Sequence, residues 1–278
     1  MKLVNTWILL ALACCWPNVA PAQLQLLPDK EPQQVFAGDA RKITVVWHNA
    51  GDQPADAEIH MRIFQTSSVT VVQLGENLWK KLQVLPRQTI LESAQLDFPA
   101  VKAETKFLVQ WLENSNHVFG TTTVLVYPTN LLAELQPLAD GKAIGVFDPQ
   151  NELKPLLKNL QIDFEDLGNL ELENFSGKLA IIGPFRSKTQ IHAGLTEEIE
   201  SLAKKGTGIV WIQPPDSSEK LQPSFYLVPK GPGTIVVTQT ALVSDLPAKP
   251  QSQLNLLYFC ELALNPQPPV LPDSSPQL

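Results

Sequence analysis

The chain has little cysteine, no basic block and no long apolar run beyond its first residues. Each absence excludes something. Of three cysteines, Cys14 and Cys15 lie in a leader-like segment, and only Cys260 lies beyond it. With one thiol left, no internal disulfide can form, so export would not bring a disulfide scaffold. The formal charge is −7, with 28 acidic against 21 basic residues. Such a chain meets a nucleic-acid backbone with the wrong sign, so no nucleic-acid partner is expected. No segment after the leader is long and apolar enough to suggest a membrane span.

The leader itself is what is present first. Lys2 is followed by the apolar "LVNTWILLALACCW", and Ala20-Pro21-Ala22 gives a small-x-small cleavage pattern before Gln23. This predicts a signal peptide over 1–22 and a periplasmic or extracellular mature chain. A retained anchor is the rival, and "ALAC" before Cys14 offers a lipoprotein-like variant.

Residues 23–128 alternate as strands do. Ile43, Val45 and Trp47 share one face, as do Ile59, Met61 and Ile63, and as do Phe107, Val109 and Trp111. Turn residues punctuate these runs at Ala37-Gly38-Asp39, Asn49-Ala50-Gly51-Asp52 and Asn114-Ser115-Asn116. The expectation is an all-β sandwich, and the layout resembles immunoglobulin-like domains without their Cys…Trp…Cys core. Trp79 is read as a packing residue, with sugar stacking as the alternative. His48, His60 and His117 have no tight ligand spacing, so no metal site is predicted.

After a linker over 129–140 the pattern changes. "KAIGVFDP" reads as a strand, and "NELKPLLKNL" as a helix capped by Asn151 with Leu153, Leu156, Leu157 and Leu160 on one side. "QIDFEDL", "GKLAIIGPF", "TGIVWIQPP" and "GPGTIVVTQTALV" supply further strands. "LTEEIESLAKKG" is a helix with Thr196 as N-cap, acids first, lysines last and Gly206 as the stop. An apolar helix is expected over Ser252–Leu264, with Cys260 a small buried hydrophobe inside it. Residues 265–278 are proline-rich and read as a tail. Residues 141–264 are therefore expected to form an α/β open sheet of the flavodoxin-like type.

This half resembles the class I glutamine amidotransferase-like domains that accompany bacterial β-galactosidases and other secreted bacterial proteins. The residues that carry the likeness are "KLAIIGPF", "LTEEIESLAKKGTGIVWIQPP" with its Lys205-Gly206-Thr207-Gly208 turn, and the closing "GTIVVTQTALVSDLPAKPQSQLNLLYFCELAL". The resemblance implies a thiol nucleophile after a strand in active members, with a histidine and an acid beside it. Here Gly183-Pro184-Phe185-Arg186-Ser187-Lys188 contains no cysteine. Ser187 with His192 is the substitute pair, without a Gly-x-Ser-x-Gly elbow. Pro184 lacks an N–H that an oxyanion site would use. Asp148, following a parallel strand, is the better ligand candidate, with a turn or helix-start role as the alternative. Asp163, Glu165 and Asp166 could form a carboxylate pair or a solvated edge. Gly206-Thr207-Gly208 follows a helix, the wrong order for a dinucleotide loop, so no cofactor is expected.

The leading expectation is a non-catalytic secreted accessory or scaffold protein that binds a protein or a glycan, with an oligomer as one form it can take. The alternatives are a hydrolase of carbohydrates or amides using Asp148, Ser187 and His192, and a structural subunit of an envelope complex.

Overall fold

The computed structural model describes residues 24–114, 117–169, 172–214, 225–238 and 242–266. The leader, Ser115 and Asn116, Pro215, the extension at 239–241 and the tail from 267 onward lie outside the described residues. The chain divides into two compact units, Met1–Tyr127 and Pro128–Leu278.

The first unit contains β1 (Leu24–Leu27), β2 (Gln33–Phe36), β3 (Gly38–Asn49), β4 (Ala55–Thr66), β5 (Val71–Val84), β6 (Thr89–Phe98), β7 (Thr105–Glu113) and β8 (His117–Tyr127). These make a sheet ordered β1-β3-β6 and another ordered β2-β8-β7-β4-β5. Alternation places Ile43, Val45 and Trp47 from the first sheet in one apolar cluster with Ile59, Phe107, Val109 and Trp111 from the second. Two long strands, β5 and β6, are absent from the sequence reading, although β6 alternates cleanly and buries Ala94, Leu96 and Phe98. In β5 the alternation breaks where Trp79 and Leu74 have no partner on β4.

The second unit contains β9 (Ile144–Phe147), β10 (Phe164–Asp166), β11 (Leu179–Ile182), β12 (Gly208–Ile212), β13 (Phe225–Lys230) and β14 (Gly233–Thr238). Its helices are α1 (Leu135–Leu138), α2 (Leu153–Asn159), α3 (Leu195–Lys204), α4 (Leu242–Asp245) and α5 (Pro250–Leu264). The sheet runs β10-β9-β11-β12-β14-β13. Leu179 and Ile181 of β11 join a cluster with α1, α2 and α5, whereas Ala180 and Ile182 join another with α3. A strand covered on both faces explains the near-continuous apolar run of "LAII".

The structure corrects the expected fold class. An immunoglobulin-like all-β sandwich plus a separate flavodoxin-like or glutamine amidotransferase-like α/β domain does not describe the chain. Its described residues are mixed α/β, with three sheets and few helices, 23% of them helical and 46% in strands. Strand direction is not segregated either. β2 lies parallel to β8 in an otherwise antiparallel sheet, and β13 lies antiparallel to β14 in an otherwise parallel one. Local alternation reports which side chains face a core, but direction and neighbours are set by pairing between distant segments.

Two caps are also corrected. Asn151 has a positive φ of 54° and does not cap α2. Thr196 lies inside α3, which starts one residue earlier, after Gly194.

Candidate functional site

In the second unit the chain passes from β9 to β10 on one side and then to β11 on the other. Open sheets leave their crevice at such a switch point, beyond the carboxyl ends of the strands. The residues there are Asp148 after β9 and the Gly183–Phe185 stretch after β11.

Asp148 is buried, 5% exposed. Its Oδ2 accepts from the backbone N–H of Leu153 at 2.8 Å and of Lys154 at 2.9 Å. The carboxylate thus satisfies two of the N–H groups that the first turn of a helix leaves without partners. Its other oxygen, Oδ1, is buried and has no hydrogen-bond partner among the described residues.

After β11, the Gly183 N–H donates to the Phe147 carbonyl at 2.8 Å. Gly183 has φ +111°, and a Cβ there would stand 2.4 Å from the Ile212 carbonyl oxygen. Only glycine fits both demands. Phe185 is buried and lies against Phe147, with ring centroids 6.2 Å apart. Polar ties then join the loops. Gln190 Oε1 accepts from the Arg186 N–H at 2.8 Å and from Gln150 Nε2 at 2.9 Å, and Arg186 pairs with Glu152 at 3.2 Å. The switch point therefore holds two packed phenylalanines and a cross-tied loop.

The residues singled out from the sequence are not brought into one constellation. Ser187 Oγ shares a 2.7 Å hydrogen bond with Thr189 Oγ1. His192 is exposed in the turn before α3, and its carbonyl accepts from the Leu195 N–H at 3.1 Å. Among the described residues no hydrogen bond links Asp148, Ser187 and His192.

The other candidates are equally dispersed. Asp166 accepts from Lys154 Nζ at 2.6 Å and from the Gly168 N–H at 2.8 Å. The Lys154 hydrogen bond holds its carboxyl below the usual carboxylate range. Asp163 and Asp166 line a cavity of about 410 Å³ beside Lys158, Ile162 and Phe164. His48 bonds Thr89 at 3.0 Å, His60 lies 3.6 Å from Glu58, and His117 lies 3.9 Å from Glu113. Among the described residues no three or more His, Cys, Asp or Glu side chains form a metal-binding group. Burial pushes the Cys260 thiol well above its ordinary range, which leaves it unreactive. Trp79 stacks on Trp47 at 6.4 Å and meets Trp111 edge-on at 4.9 Å, so its half-buried ring packs against the core cluster.

What sequence reading missed is on β5. Val69 at the hairpin tip is 88% exposed, followed by Val71 at 64%, Val72 at 53%, Leu74 at 45% and Leu78 at 52%. No charged residue occurs from Ile63 to Gly75. The signal was available as an uncharged, β-branched run without proline. Among the described residues no helix is long and apolar enough to cross a membrane.

No family model matches the chain, and no curated protein matches it. Among solved structures it is similar to a β-glucosidase from Listeria innocua, at 14% identity, 39% of this chain, 17% of that chain and a TM-score of 0.29. A β-glucosidase from Bifidobacterium adolescentis shows 13% identity over 38% of this chain and 17% of its own, with a TM-score of 0.27. A Pseudomonas fluorescens alkylpurine DNA glycosylase shows 10% identity over 38% of this chain and 31% of its own, with a TM-score of 0.29. The chain spans about a sixth of the length of these glucosidases. At such TM-scores the likeness bears on neither fold nor chemistry.

Proposed function

We propose that the protein is a non-catalytic, secreted accessory or scaffold protein that works by binding another protein chain. The observation that carries this reading is the exposed apolar edge from Val69 to Leu78 on β5. Soluble proteins usually blunt an edge strand with charges, proline or a cover. Here the stretch of β5 from Val71 to Gly75 has no charge, and the charges Glu76, Lys80 and Lys81 come only further along the strand. Exposed apolar area of this kind marks interaction surfaces. The leader-like segment over 1–22 supports export. The packing of Trp79 against Trp47 and Trp111 supports a protein partner over a stacked glycan.

A second reading, a hydrolase of carbohydrates or amides, is favoured by one observation, the unpartnered Oδ1 of Asp148. Against it stand the separate engagements of Asp148, Ser187 and His192. Chromogenic glycosides and amides distinguish the two. The purified protein is expected to give no turnover above buffer, and Asp148→Asn no change. Turnover that disappears in Asp148→Asn would establish the hydrolase and remove the non-catalytic reading.

A further inference from the structure

We infer that the outward side of α5 is a docking site for the chain's own proline-rich tail, which runs back along the helix from Pro266 to Asp273. This goes beyond the interaction reading above and does not depend on the β5 edge. α5 is apolar nearly all round, and such a helix is normally covered all round. Here one side stays open. Leu254, Leu257, Tyr258, Glu261 and Leu264 follow one another at helical spacing along that side. The three leucines are half-buried, and Tyr258 is 49% exposed. Tyr258 meets Phe225 of β13 edge-on, with ring centroids 6.0 Å apart, so the stripe has an aromatic centre.

The tail supplies a matching strip. α5 ends at Leu264, and Asn265 leaves the helix with φ −132°. Pro266, Pro269 and Pro272 then recur at every third residue. A polyproline II strand has three residues per turn, so these prolines would share one edge. Such edges dock on aromatic side chains and lose little entropy in doing so. Reach sets the register. The helix rises about 1.5 Å per residue, which puts Tyr258 about 9 Å, Leu254 about 15 Å and Lys249 about 22 Å back from Leu264. A polyproline II strand rises about 3.1 Å per residue, so from Pro266 it covers those lengths at Pro269, Leu271 and Asp273. Pro269 thereby meets Tyr258, and Leu271 meets Leu254.

Charge agrees with this register. Asp273 is the one charged residue after Glu261. The register carries it past Glu261 to Lys249 at the start of α5, where the helix dipole favours an acid. Lys249 pairs with Asp245 at 2.8 Å, and its exposed ammonium has further donors for a second carboxylate. Tethering completes the selection. A segment joined to its site through a short linker acts at an effective concentration of about millimolar. That favours the chain's own tail over a free proline-rich chain.

The test uses the full chain with Cys14 and Cys15 replaced by serine, Cys260 being buried. One variant carries Leu254→Cys with Leu271→Cys, and another carries Glu261→Cys with Leu271→Cys. A loose tail brings Leu271 to Glu261 at least as readily, because fewer residues separate them. In the docked register the two stand about 10 Å apart along the helix, beyond disulfide reach. Mild oxidation is therefore expected to close the Leu254→Cys pair about 10-fold faster, within one chain and independently of protein concentration. A second readout needs no cysteine. Nitration of Tyr258, with the exposed Tyr226 as internal reference, is expected to rise several-fold when Pro266, Pro269 and Pro272 become serine, with unchanged far-UV circular dichroism. Equal closure of the two pairs, faster closure at Glu261→Cys, links only between chains, or nitration unmoved by the serine replacements would each overturn the inference. Neither readout involves β5 or Asp148, so failure here leaves the interaction reading standing.

Discussion

Asp148 shows how a single residue changes meaning between chain and fold. In the chain it is an acid after a parallel strand, a plausible ligand. In the fold, one oxygen holds two backbone N–H groups of α2, a helix of seven residues. Bonds to an ionised acceptor are stronger than neutral ones. Asp148→Ala is expected to lower stability by about 1–2 kcal/mol, as loss of a capping side chain does. Asp148→Asn keeps an acceptor and is expected to cost less than Asp148→Ala. Urea unfolding of the three proteins checks this, and equal stability of Asp148→Ala and parent would rule out the structural role. Sequence reading gave the cap to Asn151 because it is the nearest suitable residue to the helix start. The actual acceptor stands five residues before the first N–H it receives, beyond the range of local capping rules.

At the scale of elements, Asn49 makes the same point with higher stakes. Its sequence signal is a turn, but its side chain is fully buried at the end of β3. Nδ2 donates to the Gln53 carbonyl at 2.7 Å and to the Val84 carbonyl at 3.1 Å, and Oδ1 accepts from the Gly51 N–H at 2.9 Å. One amide therefore fixes the turn after β3 and ties it to the end of β5. Asn49→Ala strands these groups away from water, at a cost of about 2–3 kcal/mol. Chemical denaturation would show it, and a loss within error of zero would mean that water replaces the amide. Strands β3, β4 and β7 were legible because apolar residues alternate along most of each, although Trp111 and Leu112 of β7 are buried side by side. β5 was not, since its two irregularities erase the period that identifies a strand. α3 was legible from its buried Leu195, Ile199, Leu202 and Ala203, although its N-cap was misplaced by two residues, at Thr196 for Gly194.

For the whole molecule, three carboxyls of the second unit carry an acid response. Hydrogen bonds from Lys178, Lys154 and Lys230 hold the carboxyls of Asp140, Asp166 and Glu200 below their ordinary values. A carboxyl depressed in the folded state adds stability above its unfolded pKa and loses it as pH falls through the folded value. Thermal stability is therefore expected to hold above about pH 5 and to fall progressively below about pH 4. The groups are exposed, so the slope should be shallow and weaker in high salt. Lys154→Met removes the partner of Asp166 and is expected to flatten part of that slope. Melting curves between about pH 2 and pH 6 measure it, and an identical profile in Lys154→Met would discard Asp166 as a contributor.

The sequence by itself determined which side chains turn inward along β3, β4 and β7, that β11 would be apolar on both faces, and that Cys260 would have no disulfide partner within the mature chain it predicted. Those properties follow from the two- and 3.6-residue periods of the backbone, which any short stretch carries with it. The tertiary structure alone decided the strand order, the direction of β2 and β13, the two irregularities of β5, and the use of Asp148. Each depends on which distant segment pairs with which, and that is settled by burial and hydrogen bonding summed over the fold, not by any local repeat.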